Sequence, residues 1–142
     1  MREVIPSKLW IGHAGDLRNP GQLERIGVKA LVHLALEEQL PTLSRELLYC
    51  HVPLIDGANA PRVVGTALDL TVSLLRSSTP TLICCSAGMS RSPSIAAGAL
   101  ALLESVTPES ALARITSGQP HDVSPPLWDC VVDAVRTRQA AQ

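Results

Sequence analysis

Thr81-Leu-Ile-Cys84 leads without a break into Cys85-Ser-Ala-Gly-Met-Ser-Arg91-Ser-Pro93, which opens the Ala/Leu-rich run Ser92–Leu103. The first piece is short, apolar and β-prone, as a buried strand is. The last is so apolar that a helix there must be largely buried. Between them sit small residues, one thiol and one guanidinium. Such a strand–loop–helix junction turns loop amides and a helix N-terminus toward one point, where an oxyanion would be held. The same positive field favours a thiolate at Cys85. Arg91 adds a planar fork that matches two oxygens at once.

Working outward, strand-like and helical segments alternate. Lys8–Gly12 reads as a short strand. Asn19-Pro20 opens a helix over Gly21–Ile26, with Asn as N-cap and Pro at the first position, and Gly27 stops it. Val28–Ala35 reads as a strand, Leu36–Leu43 is ambiguous and broken by Pro41, and Leu47–Leu54 is another strand. Ile55–Pro61 is a loop. Helices are expected over Arg62–Arg76, from Thr107-Pro108 to about Ser117, and from Ser124-Pro125 to about Thr137. This alternation predicts an α/β fold: a central, mainly parallel sheet of about four to five strands, flanked by helices on both faces. Ligands in such folds bind beyond the carboxyl ends of the strands, where the Cys85 loop would lie.

Composition narrows the function. The chain has 142 residues, 46% hydrophobic and 18% charged, which fits one globular domain spanning 1–142. A net charge of −1 and 2% aromatics, with no Phe, leave neither a basic surface nor a stacking platform for nucleic acid. No apolar run reaches membrane-spanning length. The N-terminus lacks the apolar core of a signal peptide, so a cytoplasmic location is expected. Cys50, Cys84, Cys85 and Cys130 are too few and too irregular for a disulfide framework or paired zinc ligands, so no metal and no cofactor is expected.

The block Cys85-Ser-Ala-Gly-Met-Ser-Arg91-Ser92 resembles the cysteine-x5-arginine signature of protein tyrosine phosphatases, and most of all that of their dual-specificity subgroup. The similarity runs along the chain. Val4-Ile-Pro-Ser-Lys-Leu-Trp-Ile-Gly12 is similar to the subgroup's first strand and Leu31-Val-His-Leu-Ala35 to its second. His51-Val-Pro-Leu-Ile-Asp56 resembles its general-acid segment, and Ser110-Ala-Leu-Ala-Arg114 the helix after the signature helix. The resemblance implies a phosphatase that hydrolyses phosphomonoesters through a phosphocysteine. Cys85 would be the nucleophile and Arg91 the phosphoryl clamp. Asp56 would be the general acid, then the base. The Ser92 hydroxyl would bond the Cys85 sulfur and ease its departure. Ser86, Ala87, Gly88, Met89, Ser90 and Arg91 would line the phosphate.

Each residue also has an ordinary reading. A free cysteine is more often a small core residue, and Asp56 could be only an Asp-Gly turn residue. For Cys85, the context of Gly88, Arg91 and Ser92 outweighs that reading. Position 84 departs from the subgroup, which has His there. A thiol is a poorer hydrogen-bond partner, so the expectation is weaker activation of Cys85 and slower chemistry. Cys84 could be strand packing or a redox partner of Cys85 or Cys50. His13, His33, His51 and His121 are expected to be structural or exposed. Asn59, Arg62 and Met89 fall near the rim.

Partners follow from the same reading: a phosphorylated protein or a small phosphoester as substrate, no nucleic acid, no membrane, and a monomeric chain. A loop without lysine points to phosphoproteins carrying phosphotyrosine or phosphoserine/threonine rather than to inositol phosphates. Two alternatives stand beside this, a phosphate-binding pseudophosphatase and a phosphatase of a small non-protein ester. Arsenate reduction or sulfur transfer fits less well, because low-molecular-weight phosphatases and related reductases carry the loop near their N-terminus and rhodaneses use a shorter loop.

Overall fold

The computed structural model describes residues 1–142 apart from Leu40, Pro41 and Ser44. Its sheet has five strands in the order β1-β2-β5-β3-β4. These are β1 (Arg2–Ile5), β2 (Leu9–His13), β3 (Ala30–Ala35), β4 (Leu48–Leu54) and β5 (Thr81–Cys85). Only the β1–β2 pair is antiparallel; β2–β5, β5–β3 and β3–β4 are parallel. The strand expected over Lys8–Gly12 is β2, while the longer Val4–Gly12 segment likened to one strand takes in two, folded back at Pro6–Lys8. Ser7 takes the turn with φ 58°, and the Lys8 N–H donates to the Ile5 carbonyl at 3.0 Å. Pro53 cannot donate to a ladder, and β4 accordingly lies at a sheet edge.

The expected helices all form: α1 (Pro20–Ile26), α2 (Pro61–Arg76), α3 (Arg91–Glu104), α4 (Pro108–Thr116) and α5 (Pro125–Ala140). The Asn19 side chain caps α1 by accepting from the Gln22 N–H at 3.2 Å, and Gly27 ends it at φ 92°. A 3-10 turn over Ala14–Arg18 had no clear sequence signal; the His13 ring caps it by accepting from the Gly15 N–H at 3.0 Å. The ambiguous Leu36–Leu43 stretch is partly outside the described residues.

The two faces of the sheet are covered unequally. Leu9, Ile11, Val32, Leu34, Ile83 and Cys85 face α2 and α3, on which α4 and α5 pack, and this is the main core. The opposite face carries a smaller cluster of Trp10, Leu31, Leu82 and Cys84 beneath Leu17 of the 3-10 turn and Leu23 of α1. Nearly every residue of α3 is buried, as its sequence requires. Four parallel strands end at one edge, so the segments after β2, β3, β4 and β5 gather there.

Candidate active site

Cys85 is the last residue of β5 and is 2% exposed. Its sulfur accepts the Gly88 N–H at 3.2 Å. Gly88 has φ +73°, and a Cβ there would stand 2.9 Å from the Gly12 carbonyl oxygen. The loop can turn its amides inward only because this residue is glycine. The Ala14 N–H donates to the Ser86 carbonyl at 3.3 Å, so the start of the 3-10 turn after β2 braces the loop from the other side.

Arg91 opens α3 and is almost wholly buried. Its Nη1 donates to the Leu54 carbonyl at 2.9 Å and to Glu37 Oε2 at 2.9 Å. Its Nη2 donates to Glu37 Oε1 and, at 3.1 Å, to Ser86 Oγ. The Ser86 hydroxyl in turn donates to Glu37. The Arg91 guanidinium holds the Glu37 carboxyl at a pKa of about 2, and Glu37 pushes the Arg91 pKa up. The Arg91 Nε–H has no hydrogen bond among the described residues.

Asp56 follows β4, and its Oδ1 accepts from the Ser90 hydroxyl. Ser90 Oγ also accepts the Ser124 N–H at 2.9 Å. One side chain thus joins the Asp56 loop, the Cys85 loop and the segment before α5. The Asp56 loop is closed by Asn59: its Nδ2 donates to the Ile55 and Gly57 carbonyls, both at 2.9 Å, and its Oδ1 accepts the Ile55 N–H at 3.1 Å. A cavity of about 280 Å³ is lined by Asp56, Cys85–Ala87, Met89–Arg91 and Asp122.

Of the sequence-predicted residues, Cys85, Ser86, Ala87, Met89, Ser90, Arg91 and Asp56 line this cavity, and Gly88 shapes it. Ser92 sits beside them, fully buried, but the expected bond to the sulfur is not made: its Oγ has no hydrogen-bond partner. Leaving such a hydroxyl unpaired costs about 1–3 kcal/mol. Arg62 is exposed and does not line the cavity, while Asn59 serves the loop rather than the rim.

The redox pairings are not supported by the geometry. Adjacent strand residues point to opposite faces, so Cys84 lies in the small cluster and Cys85 in the main core. Cys50 is on β4, in register with Val32, and β3 separates it from β5. All four cysteines are free. Burial, then the neighbouring Cys85, pushes the Cys84 thiol well up, which suits packing. In register beside Cys84 is His33. Its Nδ1 lies 2.9 Å from the Tyr49 hydroxyl, its ring stacks on His51 at 4.9 Å, and its Nε2 is buried without a partner. Burial lowers the His33 pKa.

Two residues escaped the sequence reading. Glu37 lies just past the carboxyl end of β3, in the stretch left ambiguous; the rule that ligands gather at strand ends was its one available signal. Asp122 sits in the α4–α5 connection, and nothing local in the sequence marks it.

No protein-family model and no curated protein sequence matches the chain. Solved structures match in shape. Human DUSP28 has a TM-score of 0.86 at 21% identity, with 100% of both chains covered. PTPMT1, solved in complex with PI(5)P, has a TM-score of 0.78 at 13% identity, covering 99% of this chain and 97% of that one. The human tyrosine phosphatase-like serine/threonine/tyrosine-interacting protein has a TM-score of 0.78 at 16% identity, covering 99% and 96%. These identities speak for architecture, and the chain has the fold of the dual-specificity phosphatases.

Proposed function

We propose that the protein is a cysteine-dependent phosphatase acting on phosphomonoesters, with one catalytic domain over 1–142. The observation that carries this is the meeting of Cys85, Arg91 and Asp56 in one cavity, with a loop amide already aimed at the sulfur. In the first step the Cys85 thiolate attacks phosphorus in line; the S–P bond forms as the bond to the leaving oxygen breaks. Asp56, held by Ser90, gives its proton to that oxygen. In the second step Asp56 takes a proton from water, the water oxygen attacks phosphorus, and the thiolate leaves. The unpaired Ser92 hydroxyl supplies a donor to the departing sulfur once it moves. Arg91 and the loop amides follow the equatorial oxygens through both steps. The Arg91–Glu37 pair sets the guanidinium before substrate arrives, leaving the Nε edge for the phosphoryl group. Substrates are phosphotyrosine and phosphoserine/threonine in proteins.

A rate panel of phosphotyrosine, phosphothreonine, phosphoinositide and sugar-phosphate esters tests this. Cys85→Ser is expected to abolish turnover while retaining phosphate binding. Turnover that survives Cys85→Ser refutes the covalent mechanism. The non-catalytic reading has one observation in its favour, since Glu37 already occupies Arg91 and Ser86. Phosphate binding without any turnover by the wild type would establish it instead.

A further inference from the structure

The charge around the cavity is not that of a site built for highly phosphorylated ligands. Its lining holds one cation, Arg91, and two carboxyl groups: Asp56, which carries the proton of the first step, and Asp122. A third carboxylate, Glu37, is hydrogen-bonded to Arg91 through both of its oxygens. Most other carboxylates with a described partner are neutralised by cations: Asp16 by the N-terminal amine, Asp69 by Arg138, Glu104 by Arg114 and Glu109 by Arg136. The Asp122 carboxylate has no ion-pair or hydrogen-bond partner among the described residues. Its backbone is nevertheless fixed, because its N–H donates to the Met89 carbonyl at 2.9 Å. An exposed, unpaired carboxylate is thus tethered to the phosphate loop itself.

One phosphoryl group can be met by loop amides and Arg91. A second anion at the rim would meet the Asp122 carboxylate, while Arg91, the lining's one cation, is taken by Glu37 and the phosphoryl group. A cation at the rim would be met by Asp122. We propose that Asp122 is a specificity-determining residue, and that the site takes phosphopeptides with Arg or Lys beside the phosphorylated residue, in preference to acidic or multiply phosphorylated esters. The reacting group in this proposal rests on the phosphatase reading; the charge preference is read by binding as well as by rate.

The test uses matched phosphopeptides flanked by two arginines or by two glutamates, titrated against Cys85→Ser protein at low and high salt. The basic peptide is expected to bind about five-fold more tightly at low salt, the upper range for an exposed pair, and the gap should narrow with salt. Adding Asp122→Asn should reduce the ratio below about two-fold, and Asp122→Lys should reverse it. A ratio that is the same in all three proteins overturns the proposal. Turnover of para-nitrophenyl phosphate by the Cys85-containing protein, which involves no flanking charge, is measured in parallel. Turnover with equal binding of both peptides overturns this inference alone. Basic preference without Cys85-dependent turnover overturns the phosphatase reading alone, and binding of neither peptide together with no turnover overturns both.

Discussion

Gly88 concentrates the chemistry of the loop in one missing atom. Its φ of +73° is open to glycine and strained for other residues, and the Gly12 carbonyl closes the space a Cβ would need. Gly88→Ala therefore has to swing the loop away from β2, and the amide that bonds the Cys85 sulfur moves with it. Turnover is expected to fall at least about ten-fold, with a stability loss of about 1–3 kcal/mol in urea unfolding. Gly118 is the control, having φ +68° and no atom within 4 Å of its would-be Cβ. Gly118→Ala should cost stability and leave turnover alone; equal turnover in the two variants would show that loop geometry is not what matters. The loop that holds Cys85, Arg91 and this glycine was legible in the sequence because its geometry is local. The neighbours that complete it were not. The Ser92 hydroxyl was expected on the sulfur and instead has no partner, since a bond across a loop depends on a side-chain direction that spacing does not give.

At the level of elements, α3 is the spine. It is buried along almost its whole length and lies between the sheet, α2, α4 and α5. Close approach is possible because of Gly98: a Cβ there would lie 2.5 Å from Leu68 Cδ2 of α2 and 2.9 Å from Val131 Cγ1 of α5. Leu68 can turn aside, but Val131 is β-branched and stiff. Gly98→Val is expected to destabilise by about 1–3 kcal/mol through overpacking, despite the better helix propensity. An unchanged urea midpoint would mean the helices are less tightly seated than described. Helix boundaries were readable to within a residue or so wherever a cap marked them, as at Asn19-Pro20 and Thr107-Pro108. The turn that splits β1 from β2, and the 3-10 turn over Ala14–Arg18, were not, because neither carries a period long enough to read.

For the molecule as a whole, the contact between Glu37 and Arg91 ties the end of β3 to the start of α3. The Glu37 pKa is lowered from 4.5 to about 2, chiefly by its hydrogen bonds to Arg91. The unfolded chain thus binds a proton at a higher pH than the folded one. The stabilisation is complete above about pH 4.5 and disappears as pH falls through about 2. Because the Glu37 side chain is 53% exposed, the effect should stay within about 1 kcal/mol. The stability difference between wild type and Glu37→Gln, measured by urea unfolding, should be constant from pH 7 to 5 and shrink below. A difference that does not change with pH would mean the pair contributes no net attraction. The amino-acid sequence alone determined the parallel α/β order, the helix caps and the thiol–guanidinium loop, because each is written in periodicity, capping chemistry or short spacing. Only the tertiary structure decided that Glu37 would engage Arg91, that Asp122 would stand at the cavity, and that Cys84 would face away from Cys85 beside His33. Those outcomes depend on strand order and on which face each side chain takes, and residues far apart in the chain carry no local signal of either.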